Sequence, residues 1–430
     1  MSLLRVVVGV VSATALVACS GAPGGTAASA SSTPAPSAAP SVSNVQVPAV
    51  PGVELPAGQI PWNRVGPGWI LATWSPTPSL AAGQRPPAGQ PPVAPVTLYL
   101  LDPAGPRYAI TTLPLLPPTG PGDLGHTPFL ADWSGDGRRA LFEDYGPDSP
   151  GHTAVTEVDL ATGASHGITT HGQGYGGAYS RPTGQSIIMS TFNGFGHGWT
   201  LERVDLSGDR QLTFPTGRLG AAGNYNGDYL ESPDGTQLVL GTDHGLVMMA
   251  SDGVLGRRLP VLGPLTDCHP VRWWSATIIL TRCDGGTSSS ASQLLQVPLS
   301  GGPASAITAV NSGQDDSGFG NDVGDMDAWR LSSGTFLASM AGCGAGFLSR
   351  LTPDMHTTAV TVPGIVDSGH VSVAGATGDK LLLSARMGCG PGISILTYDP
   401  AAGTSTVLLG PPVDGGSVEN AILYRTGCPP

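Results

Sequence analysis

The chain has 430 residues, with 19 Lys or Arg against 31 Asp or Glu and a formal net charge of −12. No basic stripe interrupts that acidic balance, which excludes nucleic acid as a partner. After Cys19 no apolar run approaches the ~20 residues of a membrane span, so the body of the chain is expected to stand in water.

The first element is MSLLRVVVGVVSATALVAC, one basic residue (Arg5) followed by an apolar run to about Ala18. A charged start and a run this short are an export signal, too brief to span a bilayer. Leu16-Val17-Ala18-Cys19 resembles the lipobox of bacterial lipoproteins. That resemblance implies a signal peptide over residues 1–18, a diacylglyceryl group and acyl chain (palmitate) on Cys19, and attachment to the outer face of the cytoplasmic membrane. Residues 19–58 are almost all Ser, Ala, Pro, Gly, Thr and Val, with Glu54 the single charge. Such a segment buries too little apolar surface to offset its ordering entropy, which predicts a disordered tether. Lys380 is the only lysine, a bias that with abundant Ala, Gly and Pro fits a GC-rich genome and an actinobacterial type of envelope.

From residue 59 to 430 the chain repeats itself. A tight turn followed by a short apolar strand occurs in WNRVGPGWILATW, WSGDGRRALFED, YSRPTGQSIIMST, ESPDGTQLVLGT, WSATIILTR, LSSGTFLASM and GATGDKLLLSA. In Ser232-Pro233-Asp234-Gly235 the proline pre-sets φ at the second turn position and the glycine takes the left-handed conformation that closes a hairpin. Each unit is followed by an alternating strand such as VTEVDLATG, LERVDLSGD or ISILTYDPAAG, then by a weaker one such as HGITTH or SAITAV. A period of ~40–50 residues with four short strands per unit is the signature of an all-β β-propeller. The count predicts seven four-stranded blades, with six or eight as the alternatives. SVENAILYRT, residues 417–426, completes no further unit and is expected to pair with the first blade and close the ring. Alternation is expected to bury Leu141, Ile188, Leu238, Ile279, Leu337 and Leu382 between neighbouring sheets.

The ESPDG and WSGDG units resemble the WD40-like (PD40) repeats of TolB-type propellers. The resemblance covers most of the chain after residue 60 and implies the fold rather than a function. Departures are clear in Trp274-Ser275-Ala276-Thr277, which lacks the glycine, and in Ser180-Arg181-Pro182-Thr183-Gly184.

Export favours disulfides over free thiols. Cys268 and Cys283 are equidistant from the Ser275-Ala276 turn, so a simple hairpin places them opposite each other and predicts a disulfide. Cys343, Cys389 and Cys428 leave their pairing open, and no CxxC spacing supports zinc or redox chemistry.

Three stretches offer chemistry. Gly163-Ala164-Ser165-His166-Gly167 matches GxSxG formally, but it falls in a loop between outer strands with no helix after it, and a nucleophile elbow needs that helix. Asp315, Asp316, Asp322, Asp325 and Asp327 fall close together on a Gly-rich loop whose oxygens suit Ca²⁺, although the spacing is not that of an EF-hand and a solvated acidic loop has the same composition. His171, Tyr175, Asn224, Tyr225, Asn226, Asp228 and Asp322 are expected on one rim, where amide and aromatic groups bind a sugar or a peptide; turn-forming residues look the same.

The expectation is therefore a monomeric, membrane-anchored extracytoplasmic propeller, a non-enzymatic binding or scaffold module for an envelope protein or glycan, with no cofactor beyond the Ca²⁺ candidate. The alternative is a glycan-active hydrolase or lyase with its site at the channel mouth.

Overall fold

A computed structural model of the chain describes residues 52–79, 89, 93–117, 125–143, 154–170, 173–193, 198–261, 263–285, 291–313, 322–341, 346–365, 369–387 and 392–424. Cys19, Cys343, Cys389 and Cys428 lie outside them.

The described residues form strands joined by turns and three short 3₁₀ turns. In chain order, β1 (Glu54–Pro56) precedes β2 (Ile70–Ser75), β3 (Val96–Leu101) and β4 (Arg107–Leu113). Next come β5 (Phe129–Trp133), β6 (Arg139–Glu143), β7 (Ala154–Asp159) and β8 (Ser165–Thr169), then β9 (Gln173–Tyr179), β10 (Ser186–Phe192), β11 (Trp199–Asp205) and β12 (Arg210–Thr213). They are followed by β13 (Tyr225–Glu231), β14 (Gln237–Thr242), β15 (Gly245–Ala250), β16 (Leu255–Leu259), β17 (Asp267–Ser275), β18 (Ile278–Asp284), β19 (Ser292–Pro298) and β20 (Ser305–Ala306). The last are β21 (Asp322–Leu331), β22 (Gly334–Ala341), β23 (Gly346–Leu351), β24 (Thr357–Ala359), β25 (Gly369–Thr377), β26 (Lys380–Met387), β27 (Gly392–Asp399), β28 (Thr404–Leu409) and β29 (Ser417–Leu423).

Successive strands pair as antiparallel meanders, and successive sheets pack face to face. Leu141 meets Tyr179 and Ile187 of the next sheet, whereas its neighbours Ala140 and Phe142 face Leu71 and Leu98 of the preceding one. The same alternation carries Ile188 and Leu201 onto Leu238 and Leu240, and Leu280 and Leu294 onto Ala328 and Leu337. Leu382 and Ile395 finally pack on Ile70, Ala72 and Tyr99, so the apolar layers run in a circle and return to the first sheet. That circuit defines a β-propeller. The six side chains expected to be buried between sheets, from Leu141 to Leu382, are all at 0% exposure.

The expected blade count is corrected. Five sheets stand as separate blades, four of four strands and one of five, not the seven (or six or eight) expected; β13 to β20 are joined in a single eight-stranded sheet. The join is the antiparallel pairing of Thr242 on β14 with Cys268 on β17. Gly241 permits it, because a Cβ there would stand 2.5 Å from the Cys268 carbonyl oxygen. The repeat count could not register a bridge made by one residue of each unit.

The first sheet runs β1-β4-β3-β2-β29. The C-terminal strand thus lies innermost, paired with β2 from Ile70–Leu423 to Ser75–Ser417. At the outer edge β1 pairs in parallel with β4, within the segment expected to be tether. Glu54 explains the docking, since it accepts hydrogen bonds from Tyr99 (3.1 Å) and Arg107 (3.3 Å).

The two ends of the propeller differ. Innermost strands leave into tight turns at residues 134–138, 180–185, 232–236, 276–277, 332–333 and 378–379. In the Ser-Pro-Asp-Gly turn the Ser232 hydroxyl donates to Asp234 (2.6 Å) and accepts from the Gln237 amide (3.0 Å), while Gly235 has φ +70°. Ser134, Asp136 and Gly137 repeat that arrangement, so the recurring motif is turn architecture. A longer connection, 214–224, lies at the other end.

Candidate functional site

At the loop-bearing end, β13 and β17 begin and β18 finishes. The register of the β17–β18 hairpin pairs Asp267 with Asp284, Cys268 with Cys283 and His269 with Arg282. A disulfide joins Cys268 to Cys283. Pro270, which has no amide hydrogen, is followed by a register shift.

His269 is the centre of this end. Its Nδ1 lies 2.5 Å from Asp228, and its Nε2 is 3.5 Å from Asp284 and 3.6 Å from Asp267. Burial on its own would depress the imidazole pKa; hydrogen bonds to Asp228 and Asp284 outweigh it and push the value up to about 9. Asp284 sits below the usual carboxylate range: burial raises it, but hydrogen bonds from His269 and Arg282 prevail. Arg282 grips Asp284 through Nη2 (2.6 Å) and Nε (3.1 Å). Asn226 donates to Asp267 (2.9 Å) and to the Cys268 carbonyl (3.0 Å). The result is a charged imidazolium held among three carboxylates, with the Asp228 side chain 54% exposed.

Of the residues expected on the rim, the structure brings Asn226 and Asp228 into this cluster. Asn224 instead donates to Asp243 (2.8 Å), and Tyr225 is buried with its hydroxyl on the Gly227 carbonyl (2.8 Å). His171, and the side chains of Tyr175 and Asp322, lie outside the described residues. So do Asp315 and Asp316. Asp325 and Asp327 do not share a ligand set: a register shift between them turns Asp325 inward to the Ser312 and Ser339 hydroxyls and leaves Asp327 on Arg272 at 2.5 Å. Among the described residues no group of three or more His, Cys, Asp or Glu is placed to hold a metal ion. Ser165 of the GxSxG match is exposed at the start of β8, after the turn at residues 160–164.

Sequence reasoning missed Asp267, His269 and Asp284. The available signal was Asp267-Cys268-His269 facing Arg282-Cys283-Asp284: once the cysteines pair, their charged neighbours are opposite one another.

Deeper in the channel, toward the tight turns, lies a cavity of about 700 Å³ lined by Leu130, Arg181, Glu231, Arg272, Trp273 and Asp327 among others. Arg181 reaches both carboxylate oxygens of the buried Asp132 at 3.2 Å. Arg272 pairs with Asp327 and stacks on Trp329, 4.3 Å from the ring centroid. Glu231 accepts the Arg181 amide at 2.6 Å through Oε2, while its Oε1 is buried with no hydrogen-bond partner. Burial pushes its pKa up to about 7 against the pull of the Arg181 amide and the Arg203 and Arg181 charges.

No protein-family model matches the chain, and no curated protein matches it. Among solved structures it is similar to the β-propeller domain of the Trilobed protease from Pyrococcus furiosus, at 10% identity over 79% of this chain and 94% of that one, with a TM-score of 0.45. Prolyl oligopeptidase B from Galerina marginata is 11% identical over 84% of this chain and 52% of its own, with a TM-score of 0.47. The acylaminoacyl peptidase of Pyrococcus horikoshii is 10% identical over 73% of this chain and 48% of its own, with a TM-score of 0.42. The propeller assignment stands on the strand pairing and apolar layers of this chain.

Proposed function

We propose that this β-propeller is a lipid-anchored, extracytoplasmic binding module that holds an envelope protein or glycan at the loop-bearing end of its channel. Residues 1–18 serve as the export signal, Cys19 carries the lipid, and the Ser/Pro/Ala-rich tether that follows sets the propeller off the membrane. The observation that carries the reading is the cluster of Asn226, Asp228, Asp267, His269 and Asp284. Its polar groups are oriented before any ligand arrives, so binding loses little rotamer freedom, and the exposed Asp228 carboxylate offers acceptor lone pairs to sugar hydroxyls or to basic side chains.

Two measurements test it. Cys19→Ala is expected to release the protein from membranes into the soluble fraction, and retention in the membrane pellet would refute the anchor. The full-length protein should also retain purified peptidoglycan fragments or cross-link to a defined envelope protein. Asp228→Ala with Asp267→Ala should reduce that retention at least ~10-fold, the effect of one lost charge-assisted hydrogen bond or more. Equal retention by wild type and variant would place binding elsewhere.

A further inference from the structure

We propose that the channel contains a second ligand site, at its turn-bearing end, for a small organic ammonium ion with an apolar body, received by the Glu231 carboxylate. The site is separate from the His269 cluster, which lies where the innermost strands begin; Glu231 is the last residue of β13.

Three observations lead there. The cavity, at about 700 Å³, has the size of small-molecule sites in general. Its apolar wall includes Leu130, Leu230, Val271, Trp273 and Leu423, enough to desolvate an aryl or alkyl group. Lastly, its charged groups are largely matched with one another, Arg181 by Asp132 and Arg272 by Asp327, which leaves Glu231 Oε1 and Arg272 Nε as buried atoms of the lining without a hydrogen-bond partner. The Trp273 indole is also committed, donating to the Glu231 main-chain carbonyl at 2.8 Å.

Glu231 Oε1 is buried without a hydrogen-bond partner, and an acceptor left in that state destabilises the site. A ligand donor removes that cost. The Oε1 of an ionised carboxylate only accepts, so the ligand brings the donor. Arg181 and Arg203 favour its ionisation and Asp132 opposes it, and Asp132 is itself paired with Arg181. Arg272 and Asp327 likewise cancel, and an ammonium group supplies Oε1 with a charge-assisted hydrogen bond, stronger than one from a neutral donor.

An ammonium ion requires the ionised carboxylate, so its binding is coupled to loss of a proton from Glu231. With the carboxyl titrating at about 7, the ionised fraction rises about 10-fold between pH 6 and pH 8, and the affinity should rise by about the same factor.

The experiment is calorimetric titration of benzylamine, with benzyl alcohol as its uncharged counterpart, into the full-length protein in detergent at pH 6 and pH 8. Expected are binding of benzylamine about 10-fold tighter at pH 8, weaker binding of benzyl alcohol, and loss of both the tight binding and its pH dependence in Glu231→Gln. Proton release by the wild type at pH 7, read from two buffers of different ionisation heat, decides the matter should the variant fail to fold. Absence of benzylamine binding, equal affinity for the alcohol, an unchanged Glu231→Gln variant, or binding without proton release would each overturn the proposal.

Discussion

A histidine surrounded by Asp228, Asp267 and Asp284 behaves as a fixed cation, and that has a measurable effect on stability. The folded-state pKa of about 9 lies above the ordinary 6.5, so the stabilisation is fully present below pH 6.5 and is lost as pH rises through 9. Its size is at most about 3 kcal/mol, since a pKa difference of one corresponds to 1.36 kcal/mol. Asp228→Asn removes the closest acceptor and should bring the His269 pKa down toward the unperturbed value. The variant is then less stable than wild type at pH 6, and the gap narrows by pH 9.5. Ring-proton NMR titration with urea unfolding at the two pH values measures both effects. A wild-type imidazole titrating near 6.5 would remove the argument. At this scale sequence placed Asn226 and Asp228 on the rim but missed His269, because proximity here is made by hairpin register and by an adjoining strand rather than by spacing along the chain.

Strands and turns were far more legible than the site. The unbroken apolar runs of QLVLGT and SIIMSTF follow from burial on both faces, and the Ser232-to-Gly235 turn carries its φ requirement in the glycine. The Cys268–Cys283 bridge was readable for the same local reason, the symmetry of both cysteines about one turn. What no local pattern carries is the Thr242–Cys268 pairing that joins two units into one sheet, since it depends on how closely two backbones approach at Gly241. The bridge closes a short loop, with a sequence separation of 15. Replacing both cysteines with alanine should therefore cost about 3 kcal/mol. Both are at 0% exposure in the apolar layer between β14–β15 and β17–β19, so a void adds to that figure. The same change loosens the strand ends that bring Asp267 and His269 opposite Asp284 and Arg282, so His269 should titrate lower in the variant. Denaturant unfolding and the same NMR titration check the two consequences. Unchanged stability would mean that strand pairing alone holds this end of the hairpin.

On the scale of the whole molecule, the ring depends on a strand from the far end of the chain. β29 supplies the innermost strand of the first sheet, and without it β2 has an unpaired edge facing the channel. The strand also joins that sheet to the next: Asn420 donates to the Leu130 carbonyl at 2.6 Å, and the Tyr424 hydroxyl donates to the Gly135 carbonyl at 2.6 Å while its ring meets Trp133 edge-on at 4.9 Å. On its other side Val418 and Ala421 pack into the layer shared with Leu382 and Ile395. Removing residues 417–430 thus opens the circle at two apolar layers simultaneously, and the loss is not that of one hairpin. The sheets that gain a free face are the ones built on β5 and β25, at opposite ends of the chain's path around the ring. We expect the truncated chain to melt less cooperatively than wild type and to bind a hydrophobic dye. A separately added peptide of residues 417–430 should restore cooperativity in part, because the pairing with β2 is antiparallel and no covalent link is needed for its register. A truncated chain that unfolds as wild type does would show that the apolar layers close the ring by packing alone.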